Sequence, residues 1–308
     1  MMKTTMTFPL GLLAVLALFV SNRPNAETPP PGAWEKITAA LPSQAPAKPA
    51  KARKVLVFSA TAGFRHASIA TGKVALTELG KKTGAFEAVI SDDLAHFEPE
   101  AIQQFDAICF LSTTQDIFSP HPELVKKMND EEKKQAQEKT IRLRKSLMDF
   151  VESGRGFVGI HAATDTLYNM PEYGRMIGGY FDGHPWTADK EVQVDVEKGQ
   201  EQHPLNAMFG GKSLNFREEI YQHKAPYDPK LMHTLLRLNV EKSAQVSGMK
   251  RQDGHYGVSW ARLQGKGRVF YCALGHNHEI YWHPQVLSHY LAGIQWALGD
   301  LPAAIQHQ

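Results

Sequence analysis

The sequence predicts an α/β fold: a doubly wound, mostly parallel sheet with helices on both faces and an antiparallel extension. Three observations predict it. From position 54 to position 160, short apolar runs alternate with longer segments of helical periodicity. The chemistry-bearing residues cluster where those apolar runs end, which is where doubly wound sheets bind ligands. Beyond position 164 the helical segments give way to short strand-like runs separated by loops, an extension of the same sheet and not a second domain.

The elements follow in order. "KVLVFSA" (54–60) is a short apolar strand bounded by Gly63. The next segment places Ile69, Val74, Leu76 and Leu79 at helical spacing and ends in a lysine pair and Gly84, a helix C-terminal pattern. "FEAVISDD" is a second strand, "PEAIQQF" a short helix and "DAICFLST" a third strand. A long helix over 130–153 opens charged, as a solvated face does. It then turns apolar at Ile141, Leu143, Leu147, Phe150 and Val151, with Gly154 closing it. "GFVGIHA" is the fourth strand. "EVQVDVE", "TLLRLNV" and "YGVSWARL" form the antiparallel extension, "GRVFYCALGH" is a strong late strand, and 284–300 is a closing amphipathic helix. There is no internal repeat.

Before the domain lie two segments of other character. Residues 1–26 read as a signal peptide, with Lys3 before a continuous apolar run at 8–20 that is too short for a span of about 20 residues. An uncleaved anchor is the alternative. Export, to the periplasm or outside the cell, is the expectation, with no integral membrane span after cleavage. Residues 27–53 are rich in Pro and Ala and read as an extended, poorly ordered tether in which "AWEKITAAL" makes a turn or two of helix and Trp34 is free to dock. The folded domain is expected over 54–300, with 301–308 as a tail.

Composition excludes some functions. The 308 residues are 43% hydrophobic, enough for a packed core. The 34 basic and 32 acidic residues are interspersed, so no nucleic-acid partner is expected. A homo-oligomer is compatible with the sequence. Cys109 and Cys272 lie in buried-strand runs and read as reduced, apolar core residues. There is no GxSxG, no P-loop, no GxGxxG after a strand and no CxxC, so serine hydrolysis and a nucleotide cofactor are not expected.

The strand ends carry "SATAGFRHAS", "STTQD", "HAATDT" and "GHNHE", three of which deliver histidine. His161 emerges directly from a buried strand, where a fixed imidazole suits general base or ligand duty. Asp165, four residues on, is placed to orient it, to bind a substrate hydroxyl or to cap a helix. His66 sits just before a helix start, where exposed N–H groups bind anionic groups, and Ser68 is placed to cap that helix. "GGYFDGHPWT" holds Asp182, His184 and Trp186, an aromatic among polar groups that suits a sugar face and equally suits a loop anchored by Trp186. "FREEIYQHK" places Glu219, Tyr221 and His223 on one face in strand geometry, and Glu218 and Ile220 on the other. Glu219 is the candidate carboxylate for acid/base work or metal ligation, and Tyr221 a candidate substrate contact. His276 emerges from the last strand as His161 does from its own, with His278 and His283 as weaker candidates. His161, His276 and His66 are the candidate ligands of one divalent metal ion, zinc or similar, although their spacing matches no diagnostic zinc motif.

Together "KVLVFSATAGFRHAS", "GRGFVGIHAATDT", "GGYF…HPW", "EEIYQH" and "KGRVFYCALGH" resemble the ThuA-like family, named for trehalose utilisation, in the right order over positions 54–298. The resemblance implies a flavodoxin-like sheet of the class I glutamine amidotransferase type, with His161 where amidotransferases place their nucleophilic cysteine. It therefore implies the fold without the acyl chemistry. The chain departs from the family pattern in its N-terminal segments, in a charged stretch at about 120–139, and in the extra histidine of "GHNHE". The resemblance also implies a small-molecule partner, a sugar or glycoside of the trehalose or keto-glycoside type. The sequence thus leads to an exported, sugar-processing hydrolase, lyase or isomerase working by acid/base chemistry with metal assistance. A non-catalytic carbohydrate-binding or scaffold protein is the alternative. A glutaminase-type enzyme using Cys109 or Cys272 is a third.

Overall fold

The computed structural model describes residues 28–305. Residues 1–27, which include the signal peptide expected over 1–26, and residues 306–308 lie outside them.

Eleven strands and six α-helices are present among the described residues: α1 (Ala33–Ala40), β1 (Lys54–Phe58), α2 (Ile69–Thr83), β2 (Glu87–Ile90), β3 (Ala107–Leu111), α3 (Pro122–Val125), α4 (Asp130–Glu152), β4 (Gly156–Ile160), α5 (Pro171–Ile177), β5 (Tyr180–Phe181), β6 (Glu191–Val196), β7 (Leu214–Arg217), β8 (His223–Lys224), β9 (His233–Asn239), β10 (Gly257–Gln264), β11 (Gly267–Cys272) and α6 (Pro284–Ala297). Nine strands form one sheet in the order β2-β1-β3-β4-β11-β10-β9-β6-β7. The first five are parallel and the last four join antiparallel. The parallel part has the 2-1-3-4-5 order of flavodoxin-like sheets. The antiparallel extension belongs to the same sheet, as the sequence predicts.

The inner parallel strands are mainly apolar and buried because helices cover both faces, while the edge strand β2 is partly exposed. Every residue of β3 and β4 is buried. α4 starts where the sequence places it, at an Asn129 capping box with Glu132. Its Ile141, expected inward, is exposed, while Leu143, Leu147, Phe150 and Val151 face the core. Cys109 lies on β3 and Cys272 on β11, with β4 between them. Both are free and fully buried.

Residues 28–53 do not form an extended tether. α1 buries Ala33 and Ile37, followed by Leu41, against α2 and the turn at His278–Trp282. Trp34, which the sequence left free to dock, is exposed. Instead Lys36 Nζ stands 4.7 Å from the centre of the Trp282 ring. Farther on, the Ala47 N–H donates to Gln295 Oε1 (3.0 Å) and Gln295 Nε2 donates to the Ala47 carbonyl (2.6 Å). Arg53 forms a two-pronged pair with Asp300. Apolar burial and satisfaction of the buried Gln295 amide outweigh the extended preference of a Pro-rich chain.

Candidate functional site

Three strand ends build the site. β1 leads to His66, β4 to His161 and β11 to His276. The chain after β7 brings Glu219 and Tyr221 across them.

His161 begins a short 3-10 turn directly after β4, with φ 52. A non-glycine residue in the left-handed region is strained, and such turns project a side chain sharply from a sheet edge. The neighbouring strand end locks the ring: Nδ1–H donates to the Ala273 carbonyl at 2.7 Å. A carbonyl only accepts, so the proton is on Nδ1 and the lone pair is on Nε2. The Tyr271 hydroxyl donates to the His161 carbonyl (2.7 Å), fixing the backbone of the turn.

That single Nε2 lone pair has three polar neighbours. His66 Nε2 is at 3.1 Å, the Tyr221 hydroxyl at 3.2 Å and Glu219 Oε1 at 3.7 Å. Glu219 Oε1 is also 3.3 Å from His276 Nδ1, and Oε2 is 3.5 Å from His184 Nδ1. His66, His161, Glu219 and His276 each offer one ligand atom, and these atoms lie within 4.8 Å of one another. His66 Nδ1 is buried without a hydrogen-bond partner, and His276 Nδ1 approaches Glu219 outside hydrogen-bond geometry. More polar atoms converge than hydrogen bonds among them can satisfy. Three imidazoles and one carboxylate fit a first-row divalent ion such as zinc.

The electrostatics support this arrangement. Burial, followed by the His66 and His276 charges, holds His161 well below the ordinary histidine value. Burial and the His276 charge lower His66 to about 4. Both are therefore neutral near pH 7, as ligation and base catalysis require. Burial works against a proton on His276, but the Glu219 and Glu218 carboxylates outweigh it and raise its pKa.

The sequence missed Glu218 as a site residue. Its carboxylate is fully buried and accepts the backbone N–H groups of Gly275 (2.9 Å), His276 (2.6 Å) and Asn277 (2.9 Å). Burial lifts its pKa to about 7 despite these bonds. Gly275 has φ 140, and a Cβ there would stand 2.8 Å from the Tyr281 hydroxyl and 3.0 Å from the His161 Cβ. Only glycine lets this loop pass so close to the elbow. Phe64 was also missed. It is exposed and stands edge-on to His66 at 4.8 Å, an apolar surface at the mouth of the site. Its signal was an aromatic residue two positions before a strand-end histidine.

Other expectations are corrected. Asp165 does not orient His161, because the Ala273 carbonyl holds that nitrogen. Its carboxylate instead accepts from the Tyr168 hydroxyl (2.5 Å) and Gln115 Nε2 (3.2 Å). Trp186 is fully buried with its indole N–H on the Ala244 carbonyl, so it anchors the loop and offers no sugar face. His184 from the same loop reaches Glu219, and Asp182 pairs with Lys250 at 2.9 Å. His223 does not join Glu219 and Tyr221, since it packs flat on Tyr227 and against Trp260. The strand pattern fails there because 218–222 is not a continuous strand. Ser68 makes no cap bond. It donates to the Gly275 carbonyl (2.8 Å), tying two strand ends together. His278 bonds Thr71, and His283 packs against Phe216, both away from the cluster. Burial raises both cysteine thiols, Cys272 to about 12, so neither supplies a thiolate.

Residues 54–297 match the ThuA family, described as trehalose utilisation. This chain belongs to the ThuA family. The match spans β1 to the end of α6 and therefore includes every residue of the cluster. Among solved structures, a ThuA-like protein from Bacteroides uniformis ATCC 8492 is similar, with a TM-score of 0.60 and 22% identity over 82% of this chain and 94% of its own. A ThuA-like protein from Parabacteroides merdae ATCC 43184 has a TM-score of 0.54 and 15% identity over 83% and 93%. At these identities the likeness establishes the fold. No curated protein matches the chain. This ThuA protein therefore has a class I glutamine amidotransferase-like fold with a histidine at its elbow. No helix among the described residues is long and apolar enough to cross a membrane.

Proposed function

We propose that this ThuA protein is an exported carbohydrate-processing enzyme that acts on a sugar or keto-glycoside by acid/base chemistry with one divalent metal ion. One observation carries the reading: His66, His161, His276 and Glu219 converge at the carboxyl ends of the sheet, with His161 Nε2 presented as a lone pair. His66, His161, His276 and Glu219 would hold the ion. Bound there, it would polarise a carbonyl or hydroxyl oxygen.

The chain's own groups supply the rest. Proton abstraction beside a carbonyl, or elimination across a glycosidic bond, needs a base that is neutral at working pH and an acid to return the proton. The Tyr221 hydroxyl, 3.2 Å from the His161 Nε2 that would hold the ion, stands ready as the proton donor. Glu219 raises the pKa of His276 and lies 3.5 Å from His184 Nδ1, and His184, half-exposed and outside the ligand set, is placed to take up a substrate proton. Phe64 presents its face for the C–H side of a sugar ring. The apolar run at 8–20 supports export.

Metal content of the purified protein, measured by elemental mass spectrometry before and after His161→Ala, tests the reading. Near-stoichiometric metal in the parent, lost in the variant together with keto-sugar turnover, is the expected result. A metal-free parent after incubation with zinc, manganese and nickel removes the ion from the reading. Binding of sugar without turnover in the parent makes the protein a carbohydrate-binding module.

A further inference from the structure

His184 reaches Glu219 from an irregularity in strand pairing. The pairing of β5 with β8 matches Phe181 to His223, and an isolated bridge farther on matches Trp186 to Ile220. Between these two points residues 182–185 lie opposite residues 221 and 222, so one chain carries two extra residues and bulges. Bulges re-aim side chains beside sites. This one carries His184, opposite Tyr221. Gly183 enters it with φ 109, and Pro185, which has no N–H, needs no ladder partner.

We infer that Gln222, together with Lys250, is the positioning residue that fixes this bulge and so holds His184 on Glu219 as the base that takes up a substrate proton. The inference rests on the acid/base reading proposed above and adds to it the groups that place His184.

The backbone bonds show what the two side chains replace. The Asp182 N–H donates to the Gln222 carbonyl (2.9 Å), as in a regular antiparallel pair. The Gln222 N–H does not return the bond to Asp182 but donates to the Gly183 carbonyl (2.9 Å). The Asp182 carbonyl is thereby left without its ladder donor. Gln222 Nε2 (3.2 Å) and Lys250 Nζ (2.9 Å) donate to it instead, and Lys250 Nζ also donates to Asp182 Oδ1 (2.9 Å). Gln222 is only 2% exposed, and the rest of its amide is satisfied. Nε2 donates to the Gly248 carbonyl (3.0 Å), and Oε1 accepts from the Lys250 N–H (2.8 Å). One buried amide thus ties the bulge to the loop at 248–250, and a buried group with all its bonds made is costly to disturb.

The bulge gives His184 a defined orientation. Its Nδ1 lies 3.5 Å from Glu219 Oε2, while Glu219 Oε1 faces His161 and His276. The ring stacks with Phe181 (5.8 Å), which packs edge-on against Tyr221 (4.5 Å). The carboxylate orients one nitrogen and Phe181 backs the ring. The other nitrogen, on a side chain that is 44% exposed, remains for the substrate. Tyr221, the proton donor, occupies the facing position of the other chain, so the same irregularity places both base and acid.

Exchange of the hydrogen beside the carbonyl in ring ketones of methyl glucoside, followed by proton NMR in heavy water, measures proton abstraction directly. In protein incubated with zinc, His184→Ala should slow this exchange about a hundredfold or more with metal content unchanged. Gln222→Leu should lower kcat about ten- to a hundredfold with KM and metal content unchanged, as misplacing a base does. Lys250→Met, at an exposed position, should lower kcat in the same sense, and it carries the test alone if Gln222→Leu does not fold. In both positioning variants amide hydrogen exchange should rise about tenfold over 180–186 and stay unchanged in β4. Parent-rate turnover by Gln222→Leu and Lys250→Met, with His184→Ala slow, overturns the positioning role and leaves the acid/base reading intact. Parent-rate turnover by His184→Ala removes His184 as the base and the inference with it. No turnover of any of these ketones by the folded, zinc-treated parent overturns the reading and the inference together.

Discussion

At the scale of the residue, the site depends on side chains that hold other side chains in place. Glu218 never points at His66 or His161, yet it accepts three consecutive backbone N–H groups of the loop carrying His276. Glu218→Gln replaces one carboxylate oxygen with an NH₂ group facing a backbone donor. That change should cost about 1–3 kcal/mol of stability, the penalty for an unsatisfied buried donor. It should also lower metal occupancy, by releasing His276. Thermal denaturation and metal analysis of one preparation check both effects. The histidines themselves were legible in the sequence, because each emerges directly from an apolar run. Glu218 was not, because its partners lie 57 to 59 residues away and no local spacing encodes them.

At the scale of the element, α1 and the chain after it are the clearest departure from the sequence expectation. Composition suggests a tether because Pro and Ala supply little local preference for a fold. Docking depends on Ile37, Leu41 and the Ala47 backbone meeting α2, the turn at His278–Trp282 and Gln295. That turn follows the His276 loop directly, so α1 supports the site from behind. Ile37→Ala should destabilise the protein by roughly 2–5 kcal/mol, as buried large-to-small changes do. A lowered thermal midpoint reports it, and an unchanged midpoint would mean the segment is only loosely held in solution. The strands were easier to read: β1, β3, β4 and β11 are buried on both faces and announce themselves as apolar runs. β5 and β8 are two residues each and give no such signal.

At the scale of the whole molecule, buried neutral histidines set the response to acid. Burial lowers His289 to about 4 and His223 to about 3, from 6.5. Unfolding exposes them to protonation, so their contribution is complete above pH 6.5 and lost as pH falls toward those values. His289 alone accounts for about 3 kcal/mol across that window. Glu218 acts in the opposite sense, since its raised pKa favours the folded state as it takes up a proton below about pH 7. The two histidines outweigh one carboxyl. The thermal midpoint should therefore fall between pH 6.5 and pH 4, followed by circular dichroism, and a flat profile would contradict the burial assigned to these rings.

The sequence by itself determined the class of fold, the strand ends where chemistry gathers, the three histidines and the family. Each of these is written in local pattern: apolar runs, helical spacing, and a polar residue at a run's end. Only the tertiary structure decided which polar groups meet. It joined Glu219 to three histidines, gave the His161 ring to the Ala273 carbonyl instead of Asp165, buried Trp186 and folded the supposed tether onto α2. The physical reason is that a hydrogen bond or a buried contact depends on distance in space, and the crossing of a parallel sheet brings together residues that the chain keeps about a hundred positions apart.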